Sequence, residues 1–138
     1  METAKPSVAI SSLPPVDVGK KADLLAGVQI DVTSVRAVTL KAEGPGEVAG
    51  PGVRVEIAVT NDSSKAFNLG GLAVTASYAK GTPASANDGP PADPLAGRLA
   101  AGKSAVGVYF FRVPRAEVDS LVVEVSSDSS PSIVIFRN

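Results

Sequence analysis

The residues in this sequence best suited to chemistry are its carboxylates and one Gly-Lys-Ser turn. Asp62, Asp88, Asp93 and Asp128 fall in turn-rich stretches, and loops that offer oxygen ligands alone can hold calcium. None follows the spacing of the roughly 12-residue calcium loop, so no metal site is predicted. Glu56, Glu117, Asp119 and Glu124 are the candidates for glycoside hydrolysis, which needs two carboxyl groups facing one cleft. Their places in strands or a crossover point them outward instead. Ala101-Gly102-Lys103-Ser104 has the ending of a phosphate-binding loop, but Gly97 stands too close and a strand pattern follows where that motif needs a helix N-terminus. Gly44 to Gly52 is rich in glycine yet carries Glu47 where an anion would need donors.

The sequence has no His and no Cys. That removes disulfides, thiolate nucleophiles, sulfur-bound zinc and any Ser-His-Asp or Cys-His machinery within one chain. An enzyme would be left with carboxylate, lysine or tyrosine chemistry, and none of these residues forms a recognisable constellation. No enzyme and no cofactor are therefore expected. The 13 basic and 14 acidic side chains are interspersed, which leaves a net charge of −1 and no basic stripe of the kind a phosphate backbone requires, so nucleic acid is not expected as a partner. No apolar run approaches the ~20 residues of a membrane span. Met1-Glu2-Thr3-Ala4 does not read as a signal peptide, so Met1 as the native start implies the cytoplasm. A mature chain trimmed after a signal or lipid-anchor site implies the exterior or the envelope.

At 138 residues the chain fits a single domain. With apolar residues at 44% and charged ones at 20% it can build a core, and because that core draws on valine rather than on aromatic residues, strands are favoured. Residues 1–26, with Pro6, Pro14 and Pro15, read as an extended or disordered tether. Residues 27–138 read as the ordered domain. Val28, Ile30 and Val32 alternate with polar residues, as do Val53, Val55, Ile57 and Val59, the period of half-buried strands. Val35 and Val38 break the phase, which predicts a bulge or a change of sheet. The Gly- and Pro-rich stretch 42–52 reads as a loop.

Further strands follow at Phe67–Leu69, Leu72–Tyr78, Leu95–Leu99, Gly107–Val113, Leu121–Val125 and, with Ile133, Ile135 and Phe136, at the C-terminus. The Gly107–Val113 strand is apolar on both faces, which predicts a central position. Lys80 to Pro94, with four prolines, reads as a long exposed loop without order. About seven to eight short antiparallel strands without a helical period define an all-β, immunoglobulin-like sandwich.

Two longer motifs then carry a resemblance. Gly44-Pro45-Gly46-Glu47 leads through Val53-Arg54-Val55 to Val59-Thr60-Asn61-Asp62, and Ala101-Gly102-Lys103-Ser104 leads to Phe110-Phe111-Arg112-Val113-Pro114. Between about Val28 and Phe136 the chain resembles a family of small exported actinobacterial proteins, lipoprotein-like, with immunoglobulin-like domains of unknown function. The resemblance implies an envelope or extracellular site of action and supplies no catalytic or ligand residues.

Together these readings predict a non-enzymatic interaction module, secreted or attached to the envelope, with a protein or cell-wall component as partner. The contacts are expected from loops at one end of the sandwich, at Glu43, Glu47, Lys80, Asp88 and Asp93, or from an exposed sheet edge. Tyr78, Tyr109 and Phe110 are the large side chains able to anchor a partner, although their alternating strands favour the core. The alternative is a small-ligand or carbohydrate-binding domain, with or without calcium, against which the absence of Trp weighs.

Overall fold

A computed structural model describes residues 11–12, 15–41, 49–87, 92–128 and 130–138. Its strands are, in order, β1 (Ser11–Ser12), β2 (Val16–Asp17), β3 (Lys21–Leu25), β4 (Val28–Leu40), β5 (Gly50–Asn61), β6 (Phe67–Asn68), β7 (Leu72–Tyr78), β8 (Thr82–Pro83), β9 (Ser85–Ala86), β10 (Arg98–Leu99), β11 (Ser104–Arg112), β12 (Val122–Ser127) and β13 (Ser130–Arg137). Two sheets form the sandwich. One runs β1-β13-β12-β7-β8, with β2 also on β13, and the other runs β3-β4-β5-β11-β9; β6 and β10 make a separate two-stranded ribbon. The long pairs are antiparallel, whereas β1 and β2 lie parallel to β13.

The alternation read from the sequence is the alternation of burial. Val53, Val55, Ile57 and Val59 of β5 are wholly buried, as are Ile30 and Val32 of β4. They meet Val123 and Val125 of β12 and Val134 and Phe136 of β13 in one core. The phase break in β4 is a bulge: the register with β5 shifts between Val32 and Ser34, and Thr33 is the extra residue. Beyond it Val35 returns to the core side, packed against the buried cluster, so one inserted residue restores the inward phase at that position of a 13-residue strand.

Several expectations need correction. The tether does not extend to Ala26, because Lys21–Leu25 pairs with β4 and Leu24 is 2% exposed within the core. A single buried leucine in a short strand has no period to betray it. The 42–52 loop ends sooner than expected: β5 begins at Gly50, with Pro51 paired to Thr39. The register of β11 with β5 stops at Gly52, so the missing N–H of Pro51 removes no bond on that side. At the C-terminus the fully buried residues are Val134 and Phe136, with Ile133 and Ile135 half-buried on the opposite face. Apolar residues on both faces hide the phase of such a strand. Finally, β11 is next to the edge rather than central, bounded by the two-residue β9 and an isolated bridge from Asp93 to Val108.

In the 80–94 segment Thr82 to Ala86 cross between the sheets and Asp93 bridges to Val108, so its described residues are not a loop without order. Thr82–Pro83 pairs with β7 on one sheet and Ser85–Ala86 with β11 on the other, while Ala84 N–H donates to Ala76 O at 2.9 Å. The opposite margin has a matching crossing. Val18 N–H donates to Arg137 O and the next amide, Gly19, to Val32 O, at 2.9 and 2.8 Å, so successive residues bond to opposite sheets. Gly19 makes this switch at φ +94, a conformation that costs glycine little.

Truncating Leu24 tests whether the N-terminal segment belongs to the domain. Leu24→Ala is expected to destabilise the protein by about 2–4 kcal/mol in urea unfolding, whereas a tether residue would leave the midpoint unchanged.

Candidate functional site

β5 runs the length of the sandwich and defines its two ends. At the Gly50 end a groove of about 350 Å³ lies between the sheets, lined by Ala49, Gly50, Pro51, Tyr78, Arg112, Val113 and Pro114. Tyr78 comes from the last residue of β7 and Arg112 from the last residue of β11, so each sheet contributes one wall. Arg112 stands in register with Gly52 on one side and Ser85 on the other. It therefore sits between the roots of the two loops that the sequence singled out. Pro114 fixes the rear of the groove by ending β11 and starting a 3-10 helix, Arg115–Ser120. Ser120 Oγ in turn accepts from Ala79 N–H at 2.9 Å, holding the turn after Tyr78 in place.

The predicted contact residues are only partly gathered here. Lys80 is exposed in the turn after Tyr78, with φ +62. Asp93 is exposed but lies halfway along β11, where it exchanges two backbone hydrogen bonds of 2.9 Å with Val108. Glu43, Glu47 and Asp88 lie outside the described residues. Among the described residues, no three acidic side chains lie close enough to hold a metal ion. Several of the described carboxylates have structural partners. Glu56 Oε1 lies 3.2 Å from Thr33 Oγ1, Glu117 Oε1 accepts from Ser120 Oγ at 2.9 Å, and Asp17 pairs with Arg137 at 3.7 Å on the surface. Among the described residues the buried Asp31 Oδ1 atom has no hydrogen-bond partner.

The opposite end is built on Asn61, which is 0% exposed. Its Nδ2 donates to Lys65 O at 2.8 Å and to Leu99 O at 2.9 Å, while Oδ1 accepts from Ser63 N–H and Ser63 Oγ at 3.1 and 2.6 Å. The backbone of Asn61 reaches the 100–104 turn: its N–H donates to Lys103 O at 2.9 Å and its carbonyl accepts from Gly102 N–H at 2.6 Å. This explains why the Gly-Lys-Ser turn is not a phosphate loop. The Gly102 amide is taken by Asn61 and the Lys103 amide by Ala100 O at 3.1 Å, and Ser104 opens a strand. Beside this end a second groove, about 400 Å³, has Leu25, Val28 and Phe67 among its apolar walls and Lys65 and Arg98 among its polar ones.

Of the three aromatic candidates, Tyr78 lines the first groove. Tyr109 is half-buried, and its Oη accepts from Leu95 N–H at 3.0 Å. Leu95 lies over Gly107, where a Cβ would meet Leu95 Cγ at 2.6 Å. Burial pushes the Tyr109 phenol above its ordinary 10.0; the Leu95 bond lowers it and the charge of Asp93 raises it further, both less than burial does. Phe110 is 8% exposed but stands apart from the main core, on the outer face of its sheet opposite Arg54. The alternation alone could not show that an outward position would be covered. The sequence reading missed Arg112 and Asn61 as organising residues. The one available signal was their placement at the ends of the two clearest strands.

The fold and its two ends define a small all-β sandwich, and comparison with solved structures agrees. The yjhA protein of Bacillus subtilis superposes with a TM-score of 0.70 at 12% identity, covering 88% of this chain and 98% of that one. MPT63, a secreted protein of Mycobacterium tuberculosis, gives 0.62 at 16% identity, covering 91% and 98%. An uncharacterised β-sandwich protein of Clostridium difficile gives 0.54 at 11% identity over 99% of both chains. These likenesses establish the fold. No protein-family model matches the sequence, and no curated protein matches it.

Two measurements test the chemistry assigned to these ends. Asn61→Ala strands the buried carbonyl of Leu99 and takes the acceptor from Ser63 N–H, and is expected to lower stability by roughly 2–4 kcal/mol in urea unfolding. With Tyr78→Phe removing the other tyrosine, the absorbance titration of Tyr109 is expected to have its midpoint above 10.0. Because its folded pKa is raised, the contribution of this phenol to stability is complete below the unfolded value and falls as pH rises through the folded one. Stability should therefore decline on the alkaline side of pH 10.

Proposed function

We propose that this chain is a non-enzymatic interaction module of the cell envelope or exterior, its sandwich presenting one end to a protein or cell-wall partner. The observation that carries the reading is the Tyr78–Arg112 groove. Tyrosine and arginine are the side chains most enriched in binding hot spots, and here each is fixed at the end of a rigid strand while both loop roots converge on Arg112. Glu43, Glu47 and Asp88 extend the contact along those loops and Lys80 flanks it, with Asp93 further along β11. A lipid anchor upstream of this chain would tether the module to the envelope. The resemblance to exported actinobacterial domains and the likeness to a secreted mycobacterial sandwich support placement outside the cytoplasm.

A photo-crosslinking amino acid placed at Tyr78 in the native host tests this directly. The same discrete partner is expected to crosslink at Tyr78 and at Pro51, and not at Ser64 on the opposite end. Equal capture at both ends, or none at either, would sink the reading. A second reading, binding of a small ligand or carbohydrate with or without calcium, rests on the apolar groove beside Phe67. A thermal shift with calcium, sugars or lipids that is lost in Phe67→Ser would favour it, since a ligand of the native state raises apparent stability.

A further inference from the structure

The outer face of the β3-β4-β5-β11-β9 sheet holds an arrangement that folding alone does not favour. Arg36 of β4 and Arg54 of β5 are directly opposite each other, and Phe110 of β11 completes their row. The adjacent row is Val38, Gly52 and Arg112, which makes Arg112 a diagonal neighbour of Arg54, about 7–8 Å away. Like charges directly opposite on neighbouring strands are destabilising, yet among the described residues none of the three arginines is ion-paired. The carboxylate in the row on the other side, Glu56, lies against Thr33 instead. Arg36 is exposed, and Arg54 and Arg112 are half-exposed.

The same face is apolar along its flank. Val106 is 55% exposed, the one large hydrophobic residue so exposed among the described residues, and Val108 lies between it and Phe110 on β11. Guanidinium groups are rigid forks that take carboxylates in pairs of hydrogen bonds. Set at one end of an apolar strip, they match a chain in which acidic side chains are followed by apolar ones. They match a uniform polyanion poorly, because it has nothing to place against the valines and would meet Glu56.

We infer that the Arg36–Arg54–Arg112 cluster, with Val106 and Val108 further along the same face, is the docking surface for a segment of a protein partner in which acidic residues adjoin apolar ones. This deepens the interaction-module reading and rests on it: Arg112 joins the cluster to the groove, so the partner's contact would run from the end of the sandwich onto its face.

The test is a two-dimensional NMR titration of the whole chain with a Glu/Val hexapeptide of three Glu followed by three Val. The same peptide with Lys in place of Glu, and inorganic polyphosphate, serve as controls. The Glu/Val peptide is expected to shift the amides of Arg36, Arg54, Phe110 and Arg112. Arg36→Gln and Arg54→Gln should each weaken it by about tenfold, the loss expected of one charge-assisted hydrogen bond, and added salt should weaken it further. Both variants should melt at or above the temperature of the unaltered protein, because each relieves a like-charge contact. A lowered melting temperature would show the arginine serving the fold, and would overturn the inference. So would equal binding of the Lys/Val peptide, polyphosphate binding as tightly as the Glu/Val peptide, or no shift along the arginine rows. Shifts confined to Gly50, Tyr78 and Val113 would overturn it while leaving the groove reading intact. No shift anywhere, together with no crosslink at Tyr78, would remove both.

Discussion

A carboxamide sealed from water has four hydrogen-bonding capacities, and an unmet one costs on the order of 1–3 kcal/mol. Asn61 meets all four, and the partners its side chain uses come from two separate stretches of chain. That requirement shapes one end of the molecule. The 61–65 turn must curl back to bring Ser63 and Lys65 to the amide. The chain after β10 must pass close enough for Leu99 O to accept, and the 100–104 turn must lie against the end of β5 for the backbone of Asn61 to reach Gly102 and Lys103. The turn between β3 and β4 is then drawn in as well, since Asp62 N–H donates to Gly27 O at 2.6 Å. Gly27 has φ +83, and a Cβ there would come within 2.8 Å of Ser63 Cβ, so glycine is required both by conformation and by space.

This explains why a strand ending in Asn and a later Ala-Gly-Lys-Ser turn occur together in the sequence. They are two halves of one hydrogen-bonded junction. Read linearly, the turn invites comparison with a nucleotide-binding loop. Once paired with Asn61 it is a structural lock, and the lysine is incidental to it. Burial of valine on alternate positions makes the core of β4 and β5 visible from the residues alone, and even the bulge at Thr33 shows as a slipped phase. What escapes such reading is whatever depends on the register between strands. Nothing along the chain says that Arg36 and Arg54 will face each other, because they are 18 positions apart and a shift of one residue would turn one of them inward. Tyr78 and Arg112 belong to different sheets and meet across a gap that no local pattern encodes.

The short strands were the least visible part of the fold, yet they close its margins. A sandwich with long bare edges is prone to add further strands from other chains. Here each margin carries a segment that leaves one sheet and joins the other, through Val18 and Gly19 on one side and Thr82 to Ala86 on the other. Two-residue strands rich in Pro, Gly and Ser have no periodicity to detect, and composition of that kind ordinarily signals a loop. Such composition suits these positions because each crossing must break its backbone ladder every few residues to change partners.

The parallel pairing of β1 and β2 with β13 also decides how the molecule bears a load. Their strands point the same way, so the N-terminal end of this pair and the C-terminal end of β13 lie at opposite extremes of the ladder. A pull between the two chain ends therefore acts along the strands and strains their hydrogen bonds together, in shear, instead of peeling them apart singly. Resistance to forced unfolding is set by the height of the unfolding barrier, and shear raises that barrier where peeling would lower it. A sandwich held by its N-terminal segment and gripped by a partner elsewhere would meet tension with this clasp first.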